Sequence, residues 1–162
     1  MEITARTETD NDMENVENKR HNDTERLLRE CNAGIKMGIS SIDEVLPSVT
    51  DSKLRDILEE SRSEHADLGD ETHGLLIKYD CDTKEPHPIA KGMSWLRTGV
   101  MLKLDPGDKT VASLMTDGCN MGVKSLNGYL NQYSLADSKA RDITQRLIDV
   151  EQRMADSLAS YL

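Results

Sequence analysis

Four side chains could perform metal or redox chemistry if the fold brought them together, namely Cys31, His65, Cys119 and Glu151. Thiolate, imidazole and carboxylate groups are the ligands that zinc prefers, and iron takes carboxylates and imidazoles. His65 is central to this set because it lies on the apolar stripe of a predicted helix. A single core histidine is more often satisfied by hydrogen bonds than by a metal. We therefore favour a bundle without a cofactor and keep the four residues as an alternative zinc or iron site.

Four long amphipathic helices must position these side chains. Apolar or small residues recur at alternating spacings of three and four, which indicates a helix with one buried face. The stripe of the first helix is Leu28, Cys31, Ile35, Gly38, Ile42 and Val45. The stripe of the second is Leu54, Leu58, Ser61, His65, Leu68, Thr72, Leu75 and Tyr79. Similar stripes follow over residues 106–133 and 136–162, and a bundle buries all four stripes.

The connections between the helices predict the topology. The joints at 47–50 and 134–136 are short, so each joins two antiparallel helices into a hairpin. The connection over 82–105 is long and carries a predicted helix at 89–104, which spans about 24 Å. Two hairpins joined by one long crossover form the ferritin-like arrangement. The predicted fold class is therefore all-α, a ferritin-like four-helix bundle with an additional crossover helix.

Charge and composition exclude several functional classes. The chain has 162 residues and a net charge of −10, whereas nucleic-acid binding requires a basic face. No apolar stretch approaches the roughly 18–20 residues that span a bilayer, and no signal-peptide core is present, so we expect a cytoplasmic protein without membrane insertion. Residues 1–20, with six acids and three bases, predict a flexible acidic tail, and residues 21–162 form the bundle domain.

Two central segments resemble a bacterial ferritin-like domain family of unknown function, within the ferritin/rubrerythrin-like superfamily. The segment Pro88–Trp95, PIAKGMSW, is similar to the crossover helix of that family, including its single tryptophan. The segment Asp108–Tyr129, with its CNMG motif at 119–122, is similar to the third helix. The resemblance covers roughly residues 22–162. It implies a ferritin-like fold and implies no activity.

The ligand pattern of ferritin-like di-iron proteins is not met by this sequence. That pattern is a Glu on each of two helices and Glu-x-x-His on each of the other two. The last helix contains no histidine, and Arg62 stands three residues before His65. Asp70 and His73 have the required spacing but lie off the apolar stripe, so we expect them to face solvent. A standard di-iron centre is not predicted.

Counting from the turns estimates which of the four candidate residues share a level in the bundle. Cys31 stands 17 residues before Ser48 and His65 stands 17 after it, while Cys119 and Glu151 are each 16 residues from Leu135. The two hairpin turns lie at opposite ends of a ferritin-like bundle. With helices about 40 Å long, the two pairs would miss each other by roughly 9 Å.

The sequence thus favours a metal-free structural or protein-interaction module that self-associates. Trp95 and the second apolar face of the crossover helix are the candidate contact surfaces with a homo-oligomer or another protein. No catalytic residue is predicted. The alternative is a degenerate metal-binding or redox protein with its site near His65.

Overall fold

The structure is a computed structural model that describes the backbone of residues 2–81, 102–103 and 105–162, and the side chains of 11–81, 102–103 and 105–162. Its four long helices are α1 (Glu2–Val45), α2 (Ser52–Lys78), α3 (Asp108–Gln132) and α4 (Ser138–Leu158). Short 3-10 turns follow α1 at Leu46–Ser48 and α4 at Ala159–Tyr161. The described residues contain no strand, so the prediction of an all-α helical bundle is confirmed at this level.

The two hairpin turns lie at opposite ends of the bundle. At one end, Val45 and Leu54 from the first hairpin share a core cluster with Val111 at the start of α3 and Leu158 at the end of α4. At the other end, a second cluster joins the start of α1 and the end of α2 to the α3–α4 turn, through Leu27, Leu76, Tyr133 and Ala140. Cys81 and Asp108 therefore lie at opposite ends. The predicted crossover helix at 89–104 lies outside the described residues except for Leu102 and Lys103, which are helical.

The packing order of the helices follows from the same core. Helix α2 packs between α1 and α4, and α3 packs between α4 and α1. Exposed ion pairs accompany two of these contacts: Arg62 Nε lies 2.6 Å from Asp43 Oδ1 between α2 and α1, and Arg146 Nη1 lies 2.7 Å from Glu71 Oε2 between α4 and α2. Such surface pairs contribute little to stability, so the apolar stripes hold the bundle.

Helix α1 extends well beyond the bundle at its N-terminal end. Thr24 is its first buried residue, and Thr24 Oγ1 accepts a hydrogen bond of 2.8 Å from the Asp137 N–H in the α3–α4 turn. Asp23 Oδ2 accepts a second, of 3.1 Å, from the Leu135 N–H. Residues 2–22, the N-terminal extension, continue the helix for about 30 Å past this end. All side chains from residue 11 to residue 22 are exposed.

The N-terminal extension differs from the predicted flexible tail. Residues 2–20 are helical, and Asn22 and Asp23, which have the side chains of helix N-caps, lie inside α1. The segment contains neither proline nor glycine, so nothing in it interrupts a helix that the bundle has already nucleated. Burial nevertheless begins at Asp23, close to the predicted domain boundary.

None of the helices in the described ranges combines the length and the apolar character needed to cross a membrane.

Candidate functional site

His65 lies in the centre of the bundle with 0% of its surface exposed. Its Nδ1 atom lies 2.7 Å from the Ser61 carbonyl oxygen one helical turn earlier, so Nδ1 carries a proton and donates it there. The Ser61 hydroxyl oxygen lies 3.5 Å from the same nitrogen. These contacts fix the orientation of the ring from within α2 and leave Nε2 directed toward α4.

Glu151 of α4 meets that second nitrogen. His65 Nε2 lies 3.1 Å from Glu151 Oε1, and Glu151 is 8% exposed. Because Nδ1–H is committed to Ser61, the contact is a hydrogen bond only when a proton lies between Nε2 and Oε1. Burial lowers the pKa of His65, but the hydrogen bond and charge of Glu151 outweigh it, so the pKa is raised above its usual value. Glu151 therefore favours the protonated form of the buried ring.

Cys119 of α3 completes this central cluster, which we define as His65, Cys119 and Glu151. The Cys119 thiol hydrogen-bonds to the Glu151 side chain, and the residue is 1% exposed. Burial first, and then the charge and hydrogen bond of Glu151, raise the pKa of the thiol far above its usual value. A cysteine acts as a nucleophile through its thiolate, so Cys119 in this environment is a buried thiol donor.

Two glycines make room for the central cluster. A Cβ atom at Gly38 of α1 would lie 2.7 Å from His65 Nε2, which is closer than real Cβ contacts. A Cβ atom at Gly122 of α3 would lie 3.3 Å from Glu151 Cδ. The close approach along α3 is thus at Gly122, whereas at Gly118, which is exposed, an added Cβ would have no neighbour within 4 Å. Helix α1 can approach the histidine only because residue 38 lacks a side chain.

Cys31, the fourth residue of the sequence-predicted set, lies elsewhere in the core. Its sulfur is 3.1 Å from the Thr144 hydroxyl oxygen, and burial raises the pKa of its thiol to about 11. Thr144 stands seven residues before Glu151, which corresponds to two helical turns or about 10 Å. The structure therefore brings His65, Cys119 and Glu151 together and leaves Cys31 two turns away.

The position of Cys31 follows from the register of the first hairpin. Gly38, rather than Cys31, lies level with His65. Helix α1 ends at Val45, and the residues before Ser52 form a 3-10 turn and then extended chain. This connection climbs roughly 9 Å beyond the end of α1 before α2 begins. Counting equally on both sides of Ser48 ignores this extra height. It therefore selects Cys31 as the residue level with His65, instead of Gly38, which stands seven residues later in α1.

A second group of possible ligands was not found from the sequence. The ligand atoms of His21, Glu25 and Cys81 all lie within 4.8 Å of one another, the only such group of three or more among the residues that the structure describes. We call it the junction cluster, because it lies where the N-terminal extension leaves the bundle. The i, i+4 spacing of His21 and Glu25 was a signal, but nothing in the sequence placed Cys81 beside them.

The other candidates from the sequence are located as follows. Asp70 and His73 are exposed, as expected for residues off the apolar stripe. Trp95 lies outside the described residues. Searches for similarity found no matching family model, no matching curated protein and no matching solved structure.

Proposed function

We propose that this chain is a ferritin-like bundle with a metal-free interior, and that it functions as a self-associating interaction module. The observation that carries the proposal is the N-terminal extension, a helix about 30 Å long that leaves the bundle with its described side chains exposed. Helices in proteins gain most of their stability from packing of an apolar face, and outside the bundle the described apolar side chains of this helix are uncovered. A partner along the extension supplies such packing.

The N-terminal extension carries an apolar face that continues the core stripe of α1. Met13 is 64% exposed and Val16 is 52% exposed. Continuing from Val16 at spacings of three or four residues, the same helix face carries Arg20, Thr24, Leu27 and Cys31. The last three of these residues are buried in the core. A stripe that is buried inside the bundle therefore continues outside it, where no described part of this chain covers Met13 or Val16.

The charges along the extension are complementary to those of a second, antiparallel copy of the same chain. Asp12 and Glu14 lie on the outer part of the extension, and Lys19 and Arg20 lie near the bundle. An antiparallel pair centred on Val16 sets Asp12 of each copy opposite Arg20 of the other, since each stands four residues from Val16. Such a two-fold contact is self-complementary, as homodimer interfaces are.

The interior supports a packing role rather than a ligand-binding role. Both ring nitrogens of His65 have hydrogen-bonding partners within the chain, and Glu151 is engaged by His65 and Cys119. The central cluster thus satisfies its own polar groups. Buried polar groups that are satisfied in this way orient helices with respect to one another.

Sedimentation equilibrium of the full chain tests self-association. We expect a dimer whose dissociation constant rises at least ~10-fold in Val16→Glu and in Met13→Glu, because each change places a charge in the apolar contact. Ile77→Glu and Met121→Glu are matched controls, since these residues are 61% and 65% exposed on other surfaces. A wild-type monomer at high concentration, or equal weakening by the controls, would refute the proposal.

A charge exchange tests the arrangement of the two copies. Arg20→Glu is expected to weaken the dimer, because it sets acids against acids in the antiparallel pair. Asp12→Arg combined with Arg20→Glu is expected to restore the association, because the opposite charges face each other again. If the double variant did not associate more tightly than Arg20→Glu, the antiparallel register would be excluded. The extension would then remain a contact surface of unknown register.

The contacts that Glu151 makes with both His65 and Cys119 suggest one second candidate, a metal-binding or redox protein centred on His65, although the three ligand atoms do not all lie within 4.8 Å of one another. Inductively coupled plasma mass spectrometry of the purified protein measures bound iron and zinc directly. Stoichiometric metal that is lost in His65→Ala but kept in Cys81→Ser would support this candidate over a metal-free interior. Absence of metal in the wild type, or loss of metal only in Cys81→Ser, would reject it.

A further inference from the structure

We infer that His21, Glu25 and Cys81 form a binding site for zinc or a similar divalent transition metal at the junction between the N-terminal extension and the bundle. One imidazole, one carboxylate and one thiol have their ligand atoms within 4.8 Å of one another. These are the three ligand types that zinc takes in proteins. In a tetrahedral zinc site the ligand atoms are roughly 3.3–3.8 Å apart, so small side-chain rotations bring this group onto one ion.

The backbone positions the two halves of the junction cluster firmly. His21 and Glu25 are one turn apart on α1 and share a face of the helix. Cys81 is held by the end of α2, where Asp80 takes a left-handed conformation with φ 55°. The Cys81 N–H donates to the Leu76 carbonyl at 2.9 Å, which closes the helix end. The backbone that carries the Cys81 thiol is therefore held in place by the end of α2.

The Cys81 side chain is buried without a strong partner of its own. Cys81 is 9% exposed, and its sulfur makes one weak hydrogen bond, 3.6 Å from the Tyr79 carbonyl oxygen. His21 is exposed and Glu25 is half-buried, so a metal ion can reach the thiol from the solvent side. The His21 ring also rests edge-on against Tyr79, with 6.5 Å between ring centroids. This contact holds the imidazole near the end of α2.

Arg29 orients the carboxylate of the junction cluster. Its Nε and Nη2 atoms lie 3.0 Å and 2.7 Å from Glu25, and both hydrogen bonds fall on Oε1. A carboxylate has a second oxygen with which to bind a metal, and hydrogen-bonded carboxylates of this kind are usual among metal ligands. Arg29 is then a positioning residue. The three protein ligands leave the fourth tetrahedral position for water.

Metal binding at this position would fasten α1 to the end of α2. His21 lies in the last turn of the N-terminal extension, and Cys81 follows α2, so one ion would cross-link the two elements where the extension leaves the bundle. The site lies within one chain, and its existence does not depend on the proposed self-association. The two inferences can therefore fail separately.

Titration of the metal-depleted full chain with Co²⁺, followed by displacement with Zn²⁺, tests the site. Cobalt bound to thiolate gives a near-ultraviolet charge-transfer band, and we expect one Co²⁺ per chain. Cys81→Ser should abolish the band, while His21→Ala and Glu25→Gln should each weaken Co²⁺ affinity at least ~10-fold. His21 is exposed, so its replacement tests the site without disturbing the core.

The matched controls are cysteines and a histidine outside the junction cluster. Cys119→Ala and Cys31→Ala should keep the band, and so should His73→Ala, which changes an exposed histidine of α2. Far-ultraviolet circular dichroism confirms that each variant remains helical. Absence of a thiolate band in the wild type, its survival in Cys81→Ser, or unchanged affinity in both His21→Ala and Glu25→Gln would overturn the inference.

Discussion

His65 Nε2 of α2 lies 3.1 Å from Glu151 Oε1 of α4, in the interior where all four helices meet. The pair is separated by 86 residues of sequence, and it is buried between two glycines. Its geometry has direct consequences for stability, because a buried hydrogen bond between ionisable groups depends on the proton that they share.

The stability of the protein should decrease as pH rises from about 6.5 through the raised pKa of His65. Glu151 raises the pKa of the folded imidazole against the opposing effect of burial. A raised pKa stabilises the folded state fully below the unfolded value of about 6.5, and this contribution is lost as pH rises through the folded pKa. Urea denaturation between pH 5.5 and 8.5 measures the slope.

His65→Gln is expected to flatten this slope, whereas His73→Gln, at an exposed position on the same helix, should leave it unchanged. An equal slope in the wild type and in His65→Gln would show that other groups cause the pH dependence.

Loss of the Glu151 carboxylate should be costly unless the replacement can still hydrogen-bond. Glu151→Leu leaves His65 Nε2 without its partner in the core, and removing one member of a buried pair costs about 3 kcal/mol. Glu151→Gln can donate its amide hydrogen to the neutral Nε2, so its cost should be smaller and the pH slope should diminish. Chemical denaturation near neutral pH measures both. A Leu variant as stable as the wild type would mean that the pair contributes nothing to stability.

Gly38→Ala should destabilise the protein although alanine favours helix. The added methyl would lie 2.7 Å from His65 Nε2, and overpacking of this kind costs typically 1–3 kcal/mol. Gly74→Ala is the matched control, because nothing lies within 4 Å of its added methyl near the C-terminal end of α2. That substitution should stabilise the fold by about 0.5–1 kcal/mol. Thermal denaturation of the two variants should therefore show shifts of opposite sign, and shifts of the same sign would contradict the packing at Gly38.

The three cysteines should differ in their reactivity toward iodoacetamide in the native state. Cys31 and Cys119 are 0% and 1% exposed, whereas Cys81 is 9% exposed at the surface end of α2. Burial raises the pKa of all three thiols, to about 11 for Cys31, so alkylation is slow for each and slowest in the core. Peptide mass spectrometry should find Cys81 modified first and the other two only after unfolding. Early modification of Cys119 would show that the central cluster opens to solvent.

The sequence by itself determined most of the residues that enter the core, although α2 buries Leu76 and leaves the predicted stripe residues Leu75 and Tyr79 half-buried. In α1, the predicted stripe residues Leu28, Ile35, Ile42 and Val45 are buried, because the 3.6-residue period fixes one helix face wherever that helix packs. The polar stripe position His65 is buried as well, as expected from its place between apolar neighbours. The short joints likewise determined the two hairpins, since short connections leave antiparallel neighbours as the simplest packing.

Only the tertiary structure decided which of these buried residues meet. Periodicity fixes the angle of a side chain around its helix but not its height along the bundle. The height of α2 relative to α1 depends on the non-helical path before Ser52, which moved His65 level with Gly38 rather than with Cys31. The same limit hid Cys81 beside His21, since their contact depends on where α2 ends against α1. The helical backbone of the N-terminal extension likewise does not follow from its composition, which is that of a solvated tail, because a helix can continue from the bundle to which it is joined.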